Sequence, residues 1–138
     1  MSVAYVDTSV LTAIAFDEPE AAAYAHRLNE FTRLISSNLL EAELRAAFAR
    51  ENLLFRESAV AGIDWILPDR PLAPEFAAVL ETGYLRGADL WHVATALYAA
   101  PRPEDLAFVT LDKRQAAVAG ALGFETLMAP PTRPASRK

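Results

Sequence analysis

The chain has 138 residues, no cysteine and a net charge of −5. That length fits one domain, the missing thiols exclude disulfides, thiolate catalysis and Cys-ligated zinc, and the acidic balance argues against a broad basic surface that grips nucleic acid. No apolar run approaches the roughly 20 residues of a membrane span, and the start MSVAYVD lacks the basic-then-apolar pattern of a secretory leader, so a cytoplasmic location away from membranes is expected.

Val3–Val6 reads as a buried strand, followed at once by Asp7, Thr8 and Ser9, with a short helix starting in DTSV. Asp17, Pro19 and Glu20 resemble a cap, an early helical proline and a reciprocal capping acid. They predict a helix from about Glu18 to Phe31, with Ala21, Ala22, Ala25 and Leu28 inward. Arg33–Ser37 reads as the second strand. Leu40, Leu44, Ala47, Phe48, Leu54 and Phe55 share one stripe at helical spacing, predicting a long helix from about Leu39 to Phe55, bent near Asn52. ESAVAGIDWIL reads as a further helical segment containing Gly62, and PDRPLAP as a connection. PEFAAVLETGYLRG predicts a helix ending near Gly87, and ADLWHVATALYAA another, stopped before Pro101. Leu106–Leu111 is a buried strand, DKRQAAVAGALGF a helix ended by Gly123, and ETLMA a last short strand. Residues 1–129 thus form one domain, and the basic, proline-containing stretch 130–138 is expected to be a flexible tail.

Strands alternating with helices predict an α/β domain of three layers, α/β/α, around a central parallel sheet of four to five strands. In such folds the site lies beyond the carboxyl ends of the strands, where the strand order reverses. Asp7 follows the first strand, Asp112 follows the third with Thr110 two residues earlier, and the helix after the second strand carries Glu41 and Glu43. Asp89 opens the helix after Gly87. Singly, Asp7, Asp89 and Asp112 each read as helix caps. Together they read as a site, because close carboxylates repel unless cations compensate.

Glu41 and Glu43 lie about 200° apart on a helix, so both do not face one site. With Asn38 as cap, Glu41 closes a capping box and pairs with Arg45 four residues on, which leaves Glu43 as the site candidate. Carboxylate oxygens are hard ligands that suit Mg2+, with Mn2+ as a substitute. Such a metal acidifies water and stabilises phosphoryl charge, so phosphodiester hydrolysis is the reaction class that fits. An aspartate-nucleophile phosphatase or phosphotransfer domain would want an acid two residues after Asp7, where Ser9 stands. A non-catalytic interaction module would have no use for the full set of acids.

The stretches YVDTSVL, SSNLLEAELRAAF, GADLWHVATAL and FVTLDKRQAAVAGALGF, in that order, resemble the four signature blocks of PIN domains, most closely those of VapC-type toxins of bacterial toxin–antitoxin pairs. The resemblance runs from Ser2 to about Met128. It implies a Mg2+-dependent endoribonuclease with a parallel sheet flanked by helices, whose metal-binding and catalytic quartet is Asp7, Glu43, Asp89 and Asp112, with Thr110 as the hydroxyl near the last acid. Thr8 or Ser9 would steady the first acid or a water on the metal. The resemblance also implies an RNA substrate, a homodimer, and a small antitoxin that blocks the acidic site with an arginine. The segment from Arg56 to Pro74 matches no signature block.

His26 and His92 have no second ligand at metal spacing and read as structural, with His92 also placed for a phosphate, one turn after Asp89. Trp65 and Trp91 read as core, with base stacking a further option for Trp91. Lys113 and Arg114 sit at a helix start, where the dipole does not favour cations, so phosphate contact is an even alternative to a solvated surface.

Overall fold

The computed structural model describes residues 2–127. Five strands and six helices follow one another as β1 (Val3–Val6), α1 (Thr8–Ala15), α2 (Ala21–Leu28), β2 (Arg33–Ser37), α3 (Asn38–Arg50), β3 (Ile63–Ile66), α4 (Ala73–Thr82), α5 (Gly87–Ala99), β4 (Ala107–Val109), α6 (Lys113–Leu122) and β5 (Glu125–Leu127). The sheet order is β3-β2-β1-β4-β5 and every pairing is parallel.

Side chains alternate across a strand, so each central strand feeds both faces of the sheet. Tyr5 and Phe108 point to one face, into a core with Ile35, Val79 of α4, Val93 and Ala96 of α5 and Val118 of α6. Ala4, Val6, Ala107 and Val109 point to the other, against Val10 and Leu11 of α1, Leu28 of α2 and Leu40, Leu44 and Phe48 of α3. Burial on both faces explains why β1 and β4 read as continuous apolar runs rather than alternating ones. The three-layer parallel arrangement is the one expected. The order reverses between β1 and β4, where one neighbour leads to β2 and β3 and the other to β5.

Several expected elements are corrected. The helix expected from Glu18 to Phe31 is α2, Ala21–Leu28, and Asp17 is not its cap. Asp17 takes a left-handed conformation (φ 53°) just past the end of α1, and Glu20 does so (φ 76°) at the start of α2, without a side-chain cap bond. Asp tolerates that region because its short side chain bonds locally. Ala22 is exposed. The long helix stops at Arg50, because Asn52 turns left-handed (φ 59°). Leu54, placed on the apolar stripe, is 90% exposed, whereas Phe55 returns to pack on Phe48 (ring centroids 5.3 Å apart).

ESAVAGIDWIL is not a helix. A single 3₁₀ turn at Glu57–Val60 leads through Gly62 (φ 84°) into β3. The Ile-Asp-Trp-Ile run pairs with β2 and is fastened by Arg33 Nε to Asp64 at 2.8 Å. The helix expected to end near Gly87 ends at Thr82, and Gly87 instead opens α5. The end of the ETLMA strand and the expected tail 130–138 lie outside the described residues. Among the described residues no helix is long and apolar enough to cross a membrane.

Replacing buried Phe108 by alanine should cost roughly 3–5 kcal/mol through lost transfer energy and a cavity, whereas Leu54→Ala should stay within about 0.5 kcal/mol. Urea unfolding of the two variants checks this.

Candidate active site

A parallel sheet sends every strand end, and every helix start that follows one, to the same edge. At that edge Asp7 leaves β1 and caps α1, its Oδ2 accepting the Ser9 N–H at 3.0 Å. Asp112 leaves β4 and caps α6, its Oδ1 accepting the Gln115 N–H at 2.9 Å. Glu43 stands in the second turn of α3 and Asp89 in the first turn of α5. All four line one cavity of about 400 Å³, together with Thr8, Ser9, Thr12, Glu18, His92 and Leu111. Among the described residues no lysine or arginine lines it.

The cap and site readings of Asp7 and Asp112 are therefore not rivals: one carboxylate oxygen serves the helix and the other has no bonding partner among the described residues. Glu43 shows the same division. Its Oε1 accepts from Thr8 Oγ1 at 2.6 Å and from His92 Nε2 at 3.0 Å, and its Oε2 has no described protein partner. Asp89 caps nothing, since the residue preceding α5 is Arg86 and the Asp89 carboxylate has no described hydrogen bond. Thr110 is buried, with its hydroxyl donating to Gln115 Oε1 at 2.7 Å and lying 3.3 Å from Asp7 Oδ2. It also accepts the Asp112 N–H at 3.1 Å, so it braces both strand-end acids.

The charges feel one another. Burial, then the charges of Asp7 and Asp112, hold the Asp89 carboxyl above its ordinary range. For Glu43, burial pushes upward, but the hydrogen bonds from His92 and Thr8 and the field of His92 outweigh it, and the net shift is downward. Glu43 is thus stabilised as a carboxylate, whereas burial and the neighbouring acids disfavour the Asp89 anion.

Among the described residues no group of three or more His, Cys, Asp or Glu side chains is arranged to hold a metal ion as it stands. A hydrated divalent cation asks for less, because Mg2+ keeps several waters and needs only one or two direct carboxylates. An acid-lined cavity of about 400 Å³, with outward oxygens on Asp7, Glu43, Asp89 and Asp112, fits such an ion.

Glu41 makes the expected pair with Arg45, but the expected capping box does not form, because the cap N–H goes to the Tyr5 hydroxyl. Ser37, not Asn38, caps α3, and Asn38 Nδ2 donates to Glu41 Oε1 while Arg45 Nε bonds Glu41 Oε2 at 2.8 Å. The Thr8 hydroxyl goes to Glu43 rather than to Asp7, and the Ser9 hydroxyl accepts the Leu111 N–H at 3.1 Å. His92 is 1% exposed and both ring nitrogens are engaged, which removes it as a phosphate contact. Trp91 Nε1 donates to Ser37 Oγ at 2.7 Å and its ring packs near Phe76, so its indole belongs to the core. Trp65 packs against the opposite core. Lys113 and Arg114 are exposed beside Asp112, and His26 is exposed on α2.

Two residues were not singled out for the site by the sequence reading. Glu18 joins the cavity from the loop after α1, with no sequence signal to mark it. Gln115 is fully buried and links Thr110 to the first turn of α5, its Nε2 lying 3.4 Å from the Asp89 carbonyl. The signal for Gln115 was present, since Asp-Lys-Arg-Gln is a capping box. A larger cavity of about 680 Å³ opens at the opposite sheet edge, but its lining is mostly apolar. Its two arginines, Arg33 and Arg102, already face Asp64 and Asp105.

A parallel α/β sheet with acids gathered at its switch point defines an α/β domain with an acidic site at its strand ends. The PIN domain family model matches residues 4–121, which is most of the chain and includes all four acids, so the chain belongs to the PIN domain family. Members of that family are typically metal-dependent nucleases. Comparison with curated proteins finds no match.

Because the Asp89 pKa is raised in the fold, its linkage contribution favours folding below the ordinary carboxylate range and fades as pH rises through the raised value. Asp89→Asn should therefore stabilise the metal-free protein at pH 7 more than at pH 3, read by urea unfolding. Asp112→Asn should lower the Asp89 titration midpoint, followed by carboxyl carbon NMR.

Proposed function

We propose that this chain is a Mg2+-dependent endoribonuclease of the VapC type, the toxin of a toxin–antitoxin pair, with Mn2+ able to substitute. The observation that carries the reading is the convergence of Asp7, Glu43, Asp89 and Asp112, from four separate segments, on one cavity that no lysine or arginine among the described residues lines. A bound divalent cation supplies acidification of water and neutralisation of charge on the phosphoryl oxygens. Asp7, Glu43, Asp89 and Asp112 would hold that cation through their unpaired carboxylate oxygens. Thr110 keeps Asp7 and Asp112 in register, and Lys113 and Arg114 at the rim contact phosphates of the RNA.

RNA as substrate and the homodimer rest on the resemblance to VapC-type toxins, and a cytoplasmic location fits the cysteine-free composition. A small antitoxin fits the same chemistry, because an arginine inserted among the five carboxylates of this cavity would pair with them and compete with metal.

Purified protein should cleave total RNA with Mg2+ or Mn2+ and stop on chelation. Asparagine is as good a helix cap as aspartate, so Asp7→Asn should keep the fold, by circular dichroism, while cutting the cleavage rate at least about a hundredfold. Cleavage by Asp7→Asn at the parent rate overturns the proposal.

A further inference from the structure

We propose that His92, itself held by Tyr5, is a positioning residue that clamps one oxygen of Glu43 and so presents the other to the cavity. The consequence for cation binding rests on the functional reading above, whereas the clamp rests on geometry alone.

The donors and acceptors fix the directions. The Ser37 backbone N–H donates to the Tyr5 hydroxyl oxygen at 3.0 Å. Tyr5 is fully buried, and burial drives its phenol far above the ordinary value, so it keeps its proton. That proton is directed to His92 Nδ1 at 2.7 Å. An accepting Nδ1 carries no hydrogen, which leaves the ring hydrogen on Nε2. Nε2 in turn lies 3.0 Å from Glu43 Oε1 and 3.1 Å from Thr8 Oγ1. The Thr8 hydroxyl donates to the same Glu43 oxygen at 2.6 Å.

The path therefore starts at the amide where β2 meets α3, crosses β1 and α5, and returns to α3 at Glu43. It is a chain of hydrogen bonds through four elements, β2, β1, α5 and α3, whose two ends are joined by the backbone from Ser37 to Glu43. A glutamate left alone has three rotatable bonds, and its two oxygens are interchangeable. Here two donors occupy Oε1, so Oε2 is the oxygen left toward the cavity. The buried imidazole has two nitrogens to satisfy, and with Tyr5 on Nδ1 its remaining N–H is committed to Glu43 Oε1. Partners that orient a ligand in this way alter metal affinity by about 10–100-fold when removed.

Two measurements on the full chain test this. Long-range proton–nitrogen NMR of the imidazoles should show His92 as the Nε2–H tautomer with Nδ1 hydrogen-bonded, and Glu43→Gln should shift its Nε2 signal; an Nδ1–H tautomer overturns the proposal. Calorimetric titration with Mn2+ should give an apparent Kd raised at least about tenfold in His92→Leu and Tyr5→Phe. His92→Gln, whose amide can still donate to Glu43, should recover much of that loss. Parent affinity in folded His92→Leu, or no recovery in His92→Gln, overturns it. Should His92→Leu not fold, Tyr5→Phe against His92→Gln makes the same comparison. If the parent protein binds no Mn2+, the functional reading fails, and the tautomer measurement by itself still decides the clamp.

Discussion

The parallel pairing of β1 with β4 is the constraint on which the site depends. It sets Tyr5 against Phe108 and Val6 against Val109, and the Asp7 N–H donates to the Val109 carbonyl at 2.9 Å. That register carries the next residues outward together, so Asp7 and Thr110 emerge side by side and Asp112 follows two residues later. These two strands also form the switch point, where α1 and α6 depart on their separate courses and leave a crevice between their starts. A slip of one residue would reverse the facing of Tyr5 and Phe108 and would dismantle both the core and the acid pair.

The second principle of the site is a division of labour within single carboxylates. Asp7 and Asp112 each satisfy a helix amide with one oxygen, and Glu43 satisfies Thr8 and His92 with one oxygen. Helix amides and a histidine N–H supply fixed positive charge, which lets these acids stay close without a cation. Asp89 lacks such a partner, and burial, with the charges of Asp7 and Asp112 added, raises the affinity of its carboxyl for a proton. The same imbalance that disfavours the Asp89 anion in the bare protein favours any cation entering the cavity.

The core on the Tyr5 and Phe108 face is tied directly to the site. Tyr5 stacks on Phe108 with ring centroids 5.2 Å apart while its hydroxyl reaches Ser37 and His92. One residue thus joins the apolar packing on one face of the sheet to the polar network at its edge. Trp91 does the same from α5, with its ring in the core and its indole N–H on the Ser37 hydroxyl. Displacing α5 would therefore disturb Asp89 directly and Glu43 through His92.

The sequence by itself determined the strand–helix alternation, the second strand to the residue, the acids at strand ends and the choice of Glu43 over Glu41. Each of these is encoded locally, in runs of apolar residues, caps and i,i+4 pairs. Where a stretch had no strong local pattern, tertiary structure decided. Ile63–Ile66 became a strand because β2 offered an open edge, and Asn52 ended a helix whose apolar stripe continued in the sequence. The partners of each acid were also beyond local reading, since the Thr8–Glu43, His92–Glu43 and Tyr5–His92 bonds join residues 35, 49 and 87 positions apart. Spacing fixes what neighbours along the chain do, whereas only the packed sheet fixes which distant oxygen and nitrogen meet.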